Sequence, residues 1–113
     1  MHVEILESPE SGTIAREDAS GGEFYLRADG SVWYRNTLAA DGDYFANASQ
    51  PDFLRSVEAL HRYNTDVAEA ESEEQQMFFV QRLADELRIA VASSEPAESF
   101  WELIVEQAGH GML

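Results

Sequence analysis

The chain has 113 residues, 44% of them apolar, no cysteine, and 22 acidic residues against seven basic ones, a formal net charge of −15. That length suits one domain with a self-standing core, and the missing cysteines exclude a disulfide framework or a thiolate zinc site. The charge disfavours contact with a phosphate backbone or an anionic membrane surface and favours a basic protein partner.

In chain order, His2–Glu7 and Gly12–Glu17 read as two short strands separated by Ser8-Pro9-Glu10-Ser11. In the first, Val3 and Ile5 alternate with His2 and Glu4. Ser20-Gly21-Gly22 breaks the pattern. Phe24–Arg35 then reads as a hairpin around Asp29-Gly30, a dipeptide that supplies the positive φ angles of a two-residue turn. In that register Leu26 faces Trp33 and Tyr25 faces Tyr34. One face carries Phe24, Leu26 and Trp33 and looks inward. The other carries Tyr25, Arg27, Val32 and Tyr34, an amphipathic face suited to solvent or to a partner. Thr37–Asp43 is polar and small, a loop. Its Asp41-Gly42-Asp43 lacks the spaced oxygen ligands and late Glu of a calcium loop.

Tyr44 and Phe45 close the strand-like half. Ser49 is an N-cap, Pro51 fits a first helical turn, and Asp52 sits at the positive end of the helix dipole. Phe53, Leu54, Val57 and Leu60 give a helical stripe from Gln50 to Tyr63. Asn64–Glu71 reads as an acidic connection. Ser72 caps a second helix, with Gln75 at the capping-box position, running to about Ala92 on a Val80, Leu83, Ala84, Leu87 and Val91 stripe. Met77 and Phe78 extend its apolar surface and read as core filling. Pro96 starts a third helix with Phe100, Trp101, Ile104, Val105 and Ala108, and Gly109 is suited to the left-handed position past its end. The fold class is therefore α+β: an N-terminal antiparallel sheet of hairpins, then three helices packed on one side.

Motifs for chemistry are scarce. There is no Gly-x-Ser-x-Gly elbow and no phosphate-binding glycine loop. His2, His61 and His110 are scattered. Glu102, Glu106 and His110 share a spacing of four, but Gly109 ends the helix before His110 joins the row. The sequence thus predicts neither an enzyme nor a metal or cofactor site. No basic segment leads into an apolar run, and no stretch reaches the ~18 apolar residues of a membrane span, so the expected compartment is the cytoplasm.

From about Gly22 onward the chain resembles the fourth clade of the SUKH superfamily of bacterial immunity proteins. The likeness lies in Tyr25-Leu26 followed by Gly30-Ser31-Val32-Trp33, in Tyr44-Phe45-Ala46-Asn47-Ala48-Ser49 with Phe53-Leu54, in the acid-capped helix with Leu83 and Leu87, and in Phe100-Trp101 and the Gly109-His110-Gly111-Met112-Leu113 close. Its most specific parts are Asn47 to Ser49 and Phe100-Trp101. Only about twenty residues precede the hairpin, fewer than is usual in the family. The resemblance implies a sheet with helices on one side and a role in neutralising a polymorphic toxin, a nuclease or nucleic-acid deaminase, by covering its basic substrate groove. The expected contact residues are Asp41, Asp43, Glu69 and Glu71, with Tyr25 and Tyr34 as aromatic anchors. The alternative is a scaffold or interaction domain that forms a homodimer through the Tyr25/Tyr34 face. A third reading, a small enzyme with an unrecognised carboxylate site, would need a pocket holding a carboxylate of displaced pKa.

Overall fold

The alternating and aromatic segments before residue 48 form the strands, and the 3.6-periodic segments after it form the helices, in a computed structural model that describes residues 2–10, 12–17, 21–36, 43–91 and 100–110, with backbone only at 8–10 and 91. The elements are β1 (Val3–Glu10), β2 (Thr13–Glu17), β3 (Glu23–Leu26), β4 (Val32–Arg35), β5 (Tyr44–Asn47), α1 (Gln50–Ala68), α2 (Glu73–Val91) and α3 (Phe100–Gly109). The strands pair antiparallel in the order β1-β2-β3-β4-β5, a meander that local turns suffice to build. The fold is α+β, sheet first and helices after, as the sequence pattern implies. No helix among the described residues is long and apolar enough to cross a membrane.

One cluster joins the inner face of the sheet to all three helices. Val3, Phe24, Val32, Tyr34 and Ala46 meet Phe53, Val57, Leu60 and Tyr63 of α1, Leu83 and Leu87 of α2, and Phe100, Trp101, Ile104 and Ala108 of α3. Phe24 is at its centre, with ring centroids 4.9 Å from Phe53, 5.1 Å from Phe100 and 5.2 Å from Tyr34. Such offset and edge-on ring contacts add to what burial alone contributes.

The β3–β4 hairpin differs from the two-residue reading. The Arg27 carbonyl accepts from the Gly30 N–H and the Arg27 N–H donates to the Ser31 carbonyl, so the loop is Ala28-Asp29-Gly30, with Gly30 at φ 89°. A three-residue loop of this kind places a left-handed residue at its end. The register is Leu26 with Val32, Tyr25 with Trp33 and Phe24 with Tyr34. A one-residue slip turns every β4 side chain to the opposite face. Val32 and Tyr34 therefore go inward with Phe24, and Trp33 goes outward with Tyr25.

β1 extends through residues 8–10, past the expected boundary, with an irregularity between Ile5 and Glu10. It lies at the sheet edge, where a proline is tolerated because its missing N–H faces outward. α1 likewise runs beyond Tyr63 to Ala68. Val67 packs on the core, the Thr65 hydroxyl donates to the His61 carbonyl at 3.2 Å, and Asp66 pairs with Arg82. These tertiary and local contacts outweigh the weak helix propensity of Asn64, Thr65 and Asp66. Residues 69–72 are all that remains of the expected connection.

The caps follow the sequence more closely. Ser49 Oγ accepts from the Asp52 N–H at 3.3 Å, and Ser72 Oγ accepts from the Gln75 N–H at 3.2 Å. Gln75 returns its bond to the Glu71 N–H at 2.6 Å rather than to Ser72. Gly109 is not the left-handed residue past α3: it is the last helical residue, and its φ is not positive. His110 turns away after it, its N–H shared between the Glu106 and Gln107 carbonyls.

Candidate partner-binding surfaces

The six residues expected at a contact do not form one site. Tyr34 is a core residue, 7% exposed, its ring 4.3 Å from Phe100 and its hydroxyl donating to Glu17 at 2.7 Å. Gly22 presses against it so closely that a Cβ there would lie 2.2 Å from the hydroxyl. The register shift is the reason Tyr34 cannot anchor a partner. Asp41 lies outside the described residues. Tyr25 and Asp43 do meet: the Tyr25 hydroxyl donates to Asp43 on the outer face of the sheet. Glu69 and Glu71 lie instead at the α1–α2 turn. Ser56 touches β5 through Asn47, and Glu69 is a further ~20 Å along the α1 axis at 1.5 Å per residue.

Two surfaces result. The first is the outer sheet face, where Tyr25, Trp33 and Phe45 are half-buried. Trp33 and Phe45 stack edge-on at 5.6 Å, the Arg27 guanidinium lies 3.6 Å from the Trp33 ring centre, and Arg35 lies 5.0 Å from that of Tyr25. Arg16 and Arg35 both pair with Glu23 beside them. The arginines thus lie over rings and carboxylates of the same face, a cation–π arrangement that covers apolar surface while keeping charge in water. Trp33 was hidden by the two-residue reading of the hairpin turn, and a three-residue loop through Ala28 is the signal that places it here; Phe45 joins it by pairing with it across β4 and β5.

The second surface is the free end of the α1–α2 pair. The two helices run antiparallel, stapled by Arg62 to Glu86 and by Arg82 to Asp66, with Arg82 also paired to Glu86 one turn along α2. At their joined end Glu69, Glu71, Glu73 and Glu74 are all exposed, and among the described residues none of them is ion-paired. Beside them Met77 and Phe78 are 58% and 62% exposed. Both were expected to fill the core, and neither does. At 100° per residue Phe78 falls on the helix face opposite Val80, Leu83 and Leu87, a signal already present in the spacing. Phe79 and Val80 are the residues that turn inward at this end.

The interior holds one polar junction. Asn47 is fully buried; its amide nitrogen donates to Ser56 Oγ at 3.0 Å and to the Ala90 carbonyl at 3.4 Å, and its amide oxygen accepts from Trp101 Nε1 at 2.8 Å. One side chain thereby ties β5 to α1, α2 and α3, and it is satisfied on every side, as a buried amide must be.

Displaced titrations are local and dispersed. The Ser31 hydroxyl and N–H hold the exposed Asp29 carboxylate below its ordinary pKa, burial lowers that of His61, and burial raises that of Tyr63. Among the described residues no group of three or more His, Asp or Glu side chains is placed to share a metal ion, Glu102, Glu106 and His110 included. No family model matches this chain, and no curated protein or solved structure matches it.

Proposed function

We propose that this chain is a non-enzymatic immunity protein that binds a basic toxin, of the nuclease or nucleic-acid deaminase kind, and covers its substrate groove. The observation that carries the reading is one local group of unbalanced carboxylates. Arg16, Arg35, Arg55, Arg62, Arg82 and Arg88 are engaged in ion pairs within the molecule, and Arg27 lies on Trp33. The α1–α2 turn keeps four carboxylates, Glu69, Glu71, Glu73 and Glu74, without an ion pair among the described residues. A toxin that grips a phosphate backbone presents cationic side chains, and a carboxylate surface seated on them excludes the substrate by occupying the same charges. The SUKH resemblance supports the same reading, and its two most specific motifs are in contact through the Asn47–Trp101 hydrogen bond.

The test is association with a toxin module, to be sought first in the gene beside this one. Its activity should be lost at stoichiometric addition of the purified chain, and the association rate should fall by at least about tenfold between about 50 and 500 mM salt. An association rate indifferent to salt overturns the electrostatic basis; a toxin that stays active overturns the function.

A second reading follows from the outer sheet face, whose half-buried aromatic trio would suit a homodimeric scaffold. Light scattering distinguishes it. A stable dimer dispersed by Trp33→Ser, with no toxin bound, favours the scaffold.

A further inference from the structure

We infer that the free end of the α1–α2 hairpin is a docking site for a cationic amphipathic segment of a protein partner, with Met77 and Phe78 as its apolar anchors. The inference rests on the reading of this chain as a binder of basic proteins, and it names the contact that does the binding.

Met77 and Phe78 are two adjacent large apolar side chains, each more than half exposed, on a helix whose inward stripe is already complete. Phe78 points away from that stripe, so no small rotation of α2 buries it. Its base is firm: the Phe78 ring lies edge-on to Phe79 at 5.6 Å, and the Arg82 guanidinium lies 5.0 Å from the centre of the Phe79 ring while paired with Asp66 and Glu86. An exposed aromatic on a fixed support is the arrangement of a binding anchor, because little side-chain freedom is left to lose on association.

The carboxylates around it decide the occupant. Glu73 and Glu74 lie in the first turn of α2, where the helix dipole favours them. Glu69 has no such reason to be there. It is the C-cap of α1, at the negative end of that helix, whose last turn has no basic residue. A carboxylate at that end opposes the dipole, so folding does not account for it. Arg82 is the cation of this region, and it is engaged by Asp66 and Glu86. Nucleic acid and anionic lipid are repelled by this rim. A second copy of the chain would set the same carboxylates against one another. What fits is an apolar strip or pocket flanked by Arg or Lys, which covers Met77 and Phe78 while pairing with Glu69, Glu71, Glu73 and Glu74.

The experiment titrates the isotope-labelled protein with a helical peptide carrying Leu on one face and Arg on the other, read by amide chemical shifts. The expected shifts centre on the α1–α2 turn and the first two turns of α2. Phe78→Ser should weaken binding about tenfold, as should the pair Glu69→Gln and Glu71→Gln, and a peptide with Ser in place of Leu should bind as weakly as these variants do. All these positions are exposed, and an unchanged thermal midpoint verifies that the variants fold. Shifts scattered over the whole surface, shifts centred on Trp33 and Phe45, or a Phe78→Ser variant that binds like the parent would overturn the site. A toxin neutralised equally by the parent and by Phe78→Ser removes this docking site and leaves the proposed function standing. Hairpin-centred peptide binding with no toxin neutralised does the reverse.

Discussion

Asn47 shows how much one side chain contributes when its bonds reach three helices. Replacing it with Ala leaves the Trp101 indole N–H without its acceptor, takes one donor from Ser56 Oγ, whose own hydrogen bond to the Asp52 carbonyl remains, and opens a small void. The expected loss of stability is about 3 kcal/mol, measured by denaturant unfolding. Asn47→Asp should be at least as damaging at neutral pH, because a carboxylate in that position is taken fully out of water. His61 is a second residue with a definite consequence. Its Nε2 accepts from the Val3 N–H at 3.3 Å, and its ring stacks on His2 at 4.6 Å, so the neutral form is the one that fits. Burial first, then the charge of His2, sets its pKa below the ordinary 6.5. Below that ordinary value the unfolded chain takes up a proton before the folded one does. The His61 contribution is therefore complete above pH 6.5, declines as the pH falls towards the lowered value, and is gone beneath it. Thermal midpoints compared at neutral and mildly acid pH should show a steeper acid-side fall for the parent than for His61→Gln.

At the scale of elements, the β3–β4 turn decides which residues face outward. Gly30 at φ 89° has open space around it, so Gly30→Ala meets no neighbour and is penalised through backbone strain alone. The expected cost is about 1–2 kcal/mol, read as a lower unfolding midpoint with the register intact. Strands first and helices after was legible, because period-2 and period-3.6 patterns occupy separate halves of the chain and Ser49 and Ser72 mark the helix starts. The register was not, since Asp-Gly serves two-residue and three-residue loops alike and the choice lies in whether Ala28 joins the loop. The full length of α1 was also hidden: Asn64, Thr65 and Asp66 are poor helix formers, and what holds them is the ion pair with Arg82 and the packing of Val67, both tertiary. Of the expected contact residues, Tyr25 with Asp43 and Glu69 with Glu71 each proved to be neighbours, the second pair through closeness in sequence and the first by reaching across β4. That the two pairs lie on different surfaces is a property of the packed molecule, which no local spacing records.

For the whole molecule, net charge matters less than its placement. A chain of −15 with its arginines dispersed would meet any cation from all sides. Here the arginines staple α1 to α2 and line the outer sheet face, and Glu69, Glu71, Glu73 and Glu74 stand together at one end without an ion pair among the described residues, while other exposed carboxylates such as Glu4, Glu7, Glu58 and Glu106 are spread singly. A field concentrated in this way orients an approaching cationic protein as well as attracting it, which is why the salt dependence of the toxin association rate is the sharpest test of the proposed function. At high ionic strength the attraction should shrink to short range while the apolar contact of Phe78 remains, so the dissociation rate should change less than the association rate.

The chain has two tryptophans, and their surroundings could hardly differ more. Trp101 is 1% exposed with its indole N–H held by Asn47, whereas Trp33 is half-buried under the guanidinium of Arg27. Fluorescence therefore offers two independent reporters within one polypeptide. The sheltered indole follows collapse of the interior, and the outer one, open to quencher, registers anything that settles on the sheet.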